Sequence, residues 1–226
     1  MSSIPSKIQI NEEGPREGFQ FEKAVIPTAR KIALIDSLSE TGLNRIQIVS
    51  FVNPKAVPGM ADAEEVVEGF NKKPGISYVG LWLNDKGLKR AIQSQRLEVK
   101  GSVSLSASEP FLMRNQKRTF ADQLPLQHET MRMYKENGVK VERAAVMAAC
   151  GCNFAGDIST DAVLDTIALA KEIAGEHGET LKNVMLADTM AWATPGAVKR
   201  LVGAVQEKHP ELDITLHLHD TRGMGI

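Results

Sequence analysis

His217 and His219, in the run T-L-H-L-H-D-T-R-G-M-G, are the residues of this 226-residue chain whose types and spacing most clearly suggest a chemical role. Residues 213–218 are short, apolar and rich in branched side chains, which predicts a buried strand. Because side chains on a strand alternate between faces, imidazoles two residues apart point the same way. Such a pair at a strand end can hold a divalent metal in an α/β enzyme. We therefore predict a metal site with a third ligand from elsewhere; the alternative is a hydrogen-bonded core pair.

Composition excludes several other classes of protein. The formal net charge is −1, which offers no electrostatic argument for binding nucleic acid or an anionic membrane. No apolar run approaches the roughly 18–20 residues that a membrane span needs. Only two cysteines occur, Cys150 and Cys152, and the start of the chain resembles neither a signal peptide nor a transit peptide. We therefore expect a cytoplasmic protein in a reducing compartment.

The elements that must position the histidines alternate between strand and helix patterns. The predicted strands cover residues 7–11, 45–52, 76–81, 97–105, 139–148, 182–187 and 213–218. The predicted helices cover 27–41, 63–70, a short segment from about 85, 118–137, 161–177 with Thr160 as N-cap, and 194–208. Gly14, Pro15 and Gly18 predict a turn over residues 12–20. His128 and His177 fall on helices and His209 in a loop, and we expect all three to be solvated.

Seven alternations without a hairpin predict parallel strands joined by right-handed crossovers. A doubly wound open sheet and a (β/α)₈ TIM barrel both fit this pattern. Polar residues follow successive predicted strands, and in a barrel these carboxyl ends converge on one mouth, which favours the barrel. A G-x-G-x-x-G after the first strand and a Walker-type G-K-[ST] are both missing from the sequence. Because a barrel closes with eight strands, we expect a single α/β barrel domain over residues 1–226, truncated after strand seven.

Seven short motifs follow one another along the chain. They are G-P-R-E-G-F-Q at 14–20, S-F-V-N-P-K at 50–55, A-S-E at 107–109, G-C-N-F-A-G at 151–156, D-T at 188–189, T-P-G at 194–196 and H-L-H-D-T at 217–221. In this order they resemble the motifs of the 3-hydroxy-3-methylglutaryl-CoA lyase family. This family belongs to a metal-dependent barrel superfamily that includes isopropylmalate, citramalate and homocitrate synthases and the carboxyltransferase domain of pyruvate carboxylase. The S-F-V-x-P-K segment is specific to the lyase branch.

The resemblance implies a set of metal ligands and catalytic residues. Mg²⁺ or Mn²⁺ would be held by Glu17, His217 and His219, together with an Asn expected beyond the last residue given. An acyl-CoA would be cleaved between C2 and C3, giving acetyl-CoA and a 3-keto acid. Arg16 would stabilise the oxygen of the thioester enolate, because its guanidinium stays charged and offers forked donors. Asp188 would be a catalytic residue that contacts the substrate or supports the metal ligands.

The same resemblance implies a substrate-binding set and a homodimer that takes part in leucine catabolism. The substrate-binding residues are Gln20, Gln47, Ser50, Asn53, Lys55, Cys152 and Thr189.

Two positions depart from the family pattern. The family has Asp where this chain has Glu17, whose carboxylate extends one methylene further, and Mg²⁺ demands near-ideal octahedral geometry. The family has Glu where this chain has Gln47, which removes a negative charge near Arg16. A related substrate or altered metal use is therefore open. Two further hypotheses remain: a condensing synthase that runs the reverse carbon–carbon chemistry, and a catalytically inactive barrel kept for binding.

Overall fold

Parallel strands alternating with helices form both structural units of the chain, Met1–Val99 and Lys100–Ile226. The structure is a computed structural model that describes residues 5–225. Among these residues, every strand pair is parallel, as the strand–helix alternation predicts. None of the helices in that range is long and apolar enough to cross a membrane.

The first unit pairs two strands and surrounds them with helices. Its elements are α1 (Gly14–Phe21), α2 (Thr28–Leu38), β1 (Arg45–Ser50), a 3₁₀ turn (Pro58–Met60), α3 (Ala63–Gly69), β2 (Ser77–Leu81) and α4 (Asp85–Gln93). Strand β1 runs parallel to β2, with Arg45 opposite Ser77 and Ser50 opposite Leu81. The core includes Phe70, whose ring centroid lies 4.6 Å from that of Tyr78. This core holds β1 in place, and α1 packs against β1.

The second unit contains a four-stranded sheet whose spatial order follows the chain order. Its elements are β3 (Gly101–Ser106), α5 (Glu109–Gln116), α6 (Phe120–Glu136), β4 (Val141–Met147), α7 (Thr160–Glu176), β5 (Asn183–Ala187), α8 (Pro195–Lys208) and β6 (Asp213–His217). The order β3-β4-β5-β6 has no reversal, whereas a doubly wound sheet reverses at a switch point. Because all four strands are parallel, their carboxyl ends lie at one edge, where β6 ends at His217.

The predicted first strand is wrong. Residues 7–11 form no strand, and the residue that follows them, Glu12, makes an isolated bridge to Ile46. The side chains of Ile8 and Ile10 are 73% and 62% exposed, so the alternation of this segment buries no apolar face. Without that burial, the pattern has no free-energy gain to order a longer strand.

The predicted turn over residues 12–20 is also wrong, because α1 occupies Gly14–Phe21. Pro15 lies in the first helical turn, where its missing N–H is not needed and its fixed φ suits the helix. The sequence prediction also missed α5, whose N-cap Ser108 accepts a hydrogen bond from the Phe111 amide. Ser159, rather than Thr160, is the N-cap of α7.

His209 is buried, contrary to the expectation that it is solvated. Its residue surface is 6% exposed, and its Nδ1 atom lies 3.5 Å from Lys171 Nζ. It is the C-cap of α8, where the helix ends against the unit's core. The position of His209 in a predicted loop before Pro210 therefore gave the wrong expectation of solvent exposure.

Candidate active site

The first unit gathers several predicted site residues around the guanidinium of Arg16. Helix α1 presents Arg16, whose side chain is only 12% exposed. Its Nε donates to Gln47 Oε1 over 2.5 Å, and Nη2 donates to Glu13 Oε2 at 2.9 Å and to Glu17 Oε2 at 3.0 Å. The carboxylates of Glu13 and Glu17 and the side-chain amide of Gln47 therefore hold the guanidinium of Arg16 at the first turn of α1.

Glu13 is a member of this network that the sequence prediction missed. It is three residues before Arg16, which is the spacing of neighbours on a helix surface. Because a turn was predicted over this segment, the helical neighbourhood of Glu13 and Arg16 was not recognised. A helix prediction would have indicated it. Gln47 accepts a hydrogen bond from Arg16 but contributes no charge. The guanidinium is thus balanced by Glu13 and Glu17.

The other predicted residues of the first unit divide into a bonded pair and two exposed loop residues. Ser50 is fully buried at the end of β1, and its Oγ donates to Gln20 Oε1 over 3.0 Å. Asn53 and Lys55 are exposed on the following loop, where Asn53 Oδ1 accepts a hydrogen bond from the Lys55 amide. The structure therefore links Gln20 to β1, whereas Lys55 extends from the surface.

In the second unit, the two histidines lie side by side at the end of β6. Their ring centroids are 5.1 Å apart, with the rings edge to face. His219 Nδ1 lies 2.7 Å from the backbone oxygen of Asp188, and because a carbonyl only accepts, Nδ1 must carry the proton. The lone pair of His219 is then on Nε2, the form in which a histidine binds a metal. The donor chemistry of this pair fits a divalent cation.

Asp188 organises the carboxyl end of β5. It is 1% exposed, and its Oδ1 accepts hydrogen bonds from the amides of Trp192 at 2.7 Å and Ala193 at 2.9 Å. Its own amide donates to the His217 carbonyl at 2.9 Å. Thr189 Oγ1 accepts from the Ala148 amide at 2.8 Å. Asp188 therefore connects the β5–α8 turn to the backbone of His217 and to the side chain of His219.

The two cysteines have different surroundings. Burial, together with the negative charge of Asp188, raises the pKa of the Cys150 thiol to about 11. Cys152 is fully buried, and its Sγ accepts a hydrogen bond from Ser108 Oγ at 3.0 Å. Cys150 is therefore a neutral thiol at physiological pH.

Trp192, Asn153 and Arg222 complete this end of the second unit, and the sequence assigned no role to any of them. Trp192 Nε1 donates to Asn153 Oδ1 over 2.7 Å, and Arg222 Nη2 donates to the carbonyls of Ala191 and Ala193. The sequence signal was their position after predicted strands and, for Asn153, its place in the motif at 151–156.

Comparison with known proteins places these residues in a family context. A family model described as HMGL-like matches residues 7–226. Hydroxymethylglutaryl-CoA lyase, mitochondrial, from Gallus gallus is 37% identical over 224 residues, covering 99% of this chain and 72% of that protein.

Two solved structures have the same fold as this chain. The hydroxymethylglutaryl-CoA lyase of Pseudomonas aeruginosa matches with a TM-score of 0.83 at 35% identity, over 97% of this chain and 70% of that one. An HMG-CoA lyase of Acinetobacter baumannii, in complex with coenzyme A and 3-methylmalate, matches with a TM-score of 0.79 at 35% identity, over 99% of this chain and 70% of that one. The predicted fold class, the α/β fold of the lyase TIM barrels, is therefore confirmed.

Proposed function

We propose that this chain, which belongs to the HMGL-like family and is a carbon–carbon lyase, cleaves 3-hydroxy-3-methylglutaryl-CoA or a close analogue. The products would be acetyl-CoA and a 3-keto acid, acetoacetate for the methyl substrate. The observation that carries this proposal is the 35–37% identity to lyases over 97–99% of the chain. An acyl-CoA substrate is supported by the relative that holds coenzyme A.

The bond changes define what the residues must do. A base removes the proton from the C3 hydroxyl, the oxygen's electron pair forms the C3 carbonyl, and the C2–C3 bond breaks. Its electrons form the thioester enolate, which takes up a proton at C2 to give acetyl-CoA. The proposal therefore requires a cation beside the enolate oxygen and a site that binds the hydroxyl and the terminal carboxylate.

We assign the enolate oxygen to Arg16. Its guanidinium is largely buried and held by Glu13, Glu17 and Gln47, so it can be pre-oriented before substrate arrives. Pre-oriented donors cost no reorganisation when charge develops, and removing one such donor typically lowers kcat about 10²–10³-fold.

We assign the metal to Glu17, His217 and His219. The carbonyl of Asp188 sets the tautomer of His219 in the form required of a ligand. When bound, Mg²⁺ or Mn²⁺ would act as a Lewis acid that lowers the pKa of the substrate hydroxyl. Glu17 Oε2 accepts a hydrogen bond from Arg16 Nη2 at 3.0 Å, which fixes the position of the carboxylate beside the guanidinium.

The test is Mn²⁺-dependent release of acetyl-CoA from 3-hydroxy-3-methylglutaryl-CoA by the full-length protein. We expect turnover that chelation abolishes, a drop in kcat of about 10²–10³-fold for Arg16→Gln, and loss of Mn²⁺ binding by calorimetry for His219→Ala. Glu40→Gln, an exposed residue outside the site, is the matched control and should leave both unchanged. The Glu17→Asp variant tests whether the longer carboxylate of the wild-type Glu17 is tolerated as a metal ligand.

Each contrary result points to a named alternative. Activity only in Glu17→Asp would indicate another metal or substrate. Consumption of acetyl-CoA with a 2-keto acid, without cleavage, would favour the condensing synthase. Neither turnover nor Mn²⁺ binding would favour the inactive barrel.

A further inference from the structure

Lys31 is a buried cation on α2 to which neither the sequence nor the proposed mechanism assigns a role. Its residue surface is only 5% exposed. Its Nζ donates to Asp62 Oδ1 and to the backbone oxygen of Gly59, both at 2.6 Å. A buried ammonium is costly unless it is paired and hydrogen-bonded, and both conditions are met here. Lys31 therefore binds α2 to the β1–α3 loop, residues 51–62, at two points.

Asp62, at the end of this loop, receives a second hydrogen bond from α2. Thr28 Oγ1 donates to Asp62 Oδ2 at 2.7 Å, so each carboxylate oxygen has a partner on the same helix. Burial by itself would raise the pKa of this carboxyl group, but the hydrogen bonds from Lys31 and Thr28 outweigh it and the pKa is lowered. The carboxylate is thus ionised at neutral pH and forms a true ion pair with Lys31.

Gly59, the other acceptor of Lys31, lies against the backbone of α1. A Cβ added at Gly59 would be 2.8 Å from the backbone oxygen of Phe19, closer than real Cβ atoms come to such an atom. A glycine is required where two backbones approach so closely. The next residue, Met60, is 2% exposed, which seats the 3₁₀ turn in the interior of the first unit. This turn therefore contacts α1 directly, and Lys31 holds it through the carbonyl of Gly59.

Helix α1 carries the two residues that the proposed mechanism needs from the first unit. Arg16 and Glu17 lie three and two residues before Phe19 in a helix of eight residues. Strand β1 restrains the same helix through the hydrogen bonds of Gln47 and Ser50. Because so short a helix moves as a rigid element, a shift of the turn at Phe19 would also displace the guanidinium of Arg16.

We propose that Lys31 is a positioning residue for the lyase reaction: by holding Gly59 and Asp62, it seats the 3₁₀ turn against α1 and so sets the position of Arg16. The inference rests on the proposed lyase function and adds a residue that acts on the substrate only through α1. A misplacement of about 1 Å can lower a rate roughly 10²-fold. Because Arg16 is assigned to charge that develops in the transition state, kcat and kcat/KM should fall together while KM stays the same.

The experiment measures kcat and KM for 3-hydroxy-3-methylglutaryl-CoA with saturating Mn²⁺, and the midpoint of urea unfolding, in the full-length protein. Lys31→Met removes the cation and keeps most of the side-chain volume, and it should lower kcat about 10²-fold with KM within about twofold of wild type. Lys89→Met is the matched control. Lys89 Nζ pairs with Asp85 at 2.7 Å, but both side chains are exposed on α4, so kcat should not change.

A double variant separates positioning from stability. Lys31→Met leaves the carboxylate of Asp62 without its cation, which destabilises the fold, whereas Lys31→Met/Asp62→Leu removes both charges. The urea midpoint of the double variant should therefore return towards wild type. Its kcat should stay low, because the carbonyl of Gly59 is still released. If kcat recovers together with the midpoint, the ion pair serves stability alone and the inference is overturned. A raised KM with unchanged kcat would also overturn it, since the loop would then act on substrate binding.

Gly59→Ala tests the same contact and leaves Lys31 and Asp62 in place. The added methyl group must displace either the turn or α1, so kcat should fall, again with KM unchanged. Gly203→Ala is the matched control, because Gly203 lies inside α8 with nothing within 4 Å of an added Cβ. Wild-type kcat in Gly59→Ala would show that the position of α1 does not depend on the turn.

Hydrogen exchange distinguishes failure of this inference from failure of the proposed function. If wild type does not cleave the substrate, the lyase proposal fails, and the exchange of backbone amides then decides the role of Lys31. The amides of α1 should lose protection in Lys31→Met/Asp62→Leu, while those of β3 to β6 keep theirs. Unchanged protection of α1 would overturn the positioning role without reference to catalysis.

Discussion

At the scale of single residues, Asp188 connects most of the chemistry of the second unit. One carboxylate oxygen holds the turn that carries Trp192, and the backbone oxygen sets the tautomer of His219. These contacts make Asp188 a positioning residue; its contact with substrate stays a prediction. The same carboxylate raises the pKa of Cys150, though burial is the larger cause.

Cys150 should therefore react slowly with iodoacetamide in the folded protein. Only the thiolate is nucleophilic, and a pKa of about 11 leaves almost none of it at pH 8. The alkylation rate, followed by mass spectrometry, should rise with pH towards about 11. The Cys150→Ser variant shows whether Cys150 is the thiol that reacts, because Cys152 is the fully buried one of the two. Urea-unfolded protein gives the unshielded rate. Rapid labelling of folded Cys150 at pH 8 would contradict this prediction.

At the scale of elements, α1 determines the arrangement around Arg16. A helix in place of the predicted turn brings Glu13, Arg16 and Gln20 onto neighbouring helical positions, three and four residues apart. Gly18 lies inside this helix, and an added Cβ there would meet nothing within 4 Å. The helix thus tolerates a glycine that the structure does not require.

Gly18→Ala should raise the free energy of unfolding by about 0.5–1 kcal/mol, because alanine loses less backbone entropy in a helix. Gly42 is the matched contrast: it also has open space around its Cα, but its φ is +85°. Gly42→Ala should lower the free energy of unfolding by about 1 kcal/mol, because of the steric cost of the left-handed conformation. Urea denaturation measures both, and a destabilised Gly18→Ala protein would show that this glycine has a role beyond the helix.

At the scale of the whole molecule, two histidines connect stability to pH. Burial above all lowers the pKa of His177, with His128, Arg132 and Lys135 adding positive charge that Glu176 opposes. Burial likewise lowers the pKa of His209, beside Lys171 and Lys208 and opposed by Glu211. Below the ordinary histidine pKa of about 6.5, the unfolded chain then binds protons that the folded protein resists.

Stability should consequently be full above about pH 6.5 and should fall as the pH drops towards 5. The double variant His177→Gln/His209→Gln should flatten this dependence, as measured by urea midpoints at several pH values. Paired carboxylates such as Asp62 and Glu64 have lowered pKa values and so lose their contribution only below about pH 4.5. A double variant with the wild-type slope between pH 6.5 and 5 would refute the assignment to these histidines.

The sequence by itself determined the class of fold, six of the seven predicted strands, and the motifs that identify the family. These features depend on local periodicity and on residue types at fixed spacing, and both can be read directly from the order of the residues. His217 and His219 were found in this way, because strand alternation predicts a shared face, although β6 itself ends at His217.

Only the tertiary structure decided which side chains hold one another. The tautomer of His219 depends on the Asp188 carbonyl, 31 residues away, and the Trp192 ring depends on Asn153, 39 residues away. The bridge at Glu12 and the burial of His209 likewise depend on segments distant in sequence. Such contacts form when burial of the core brings strand ends together, and no pattern within a short window specifies them.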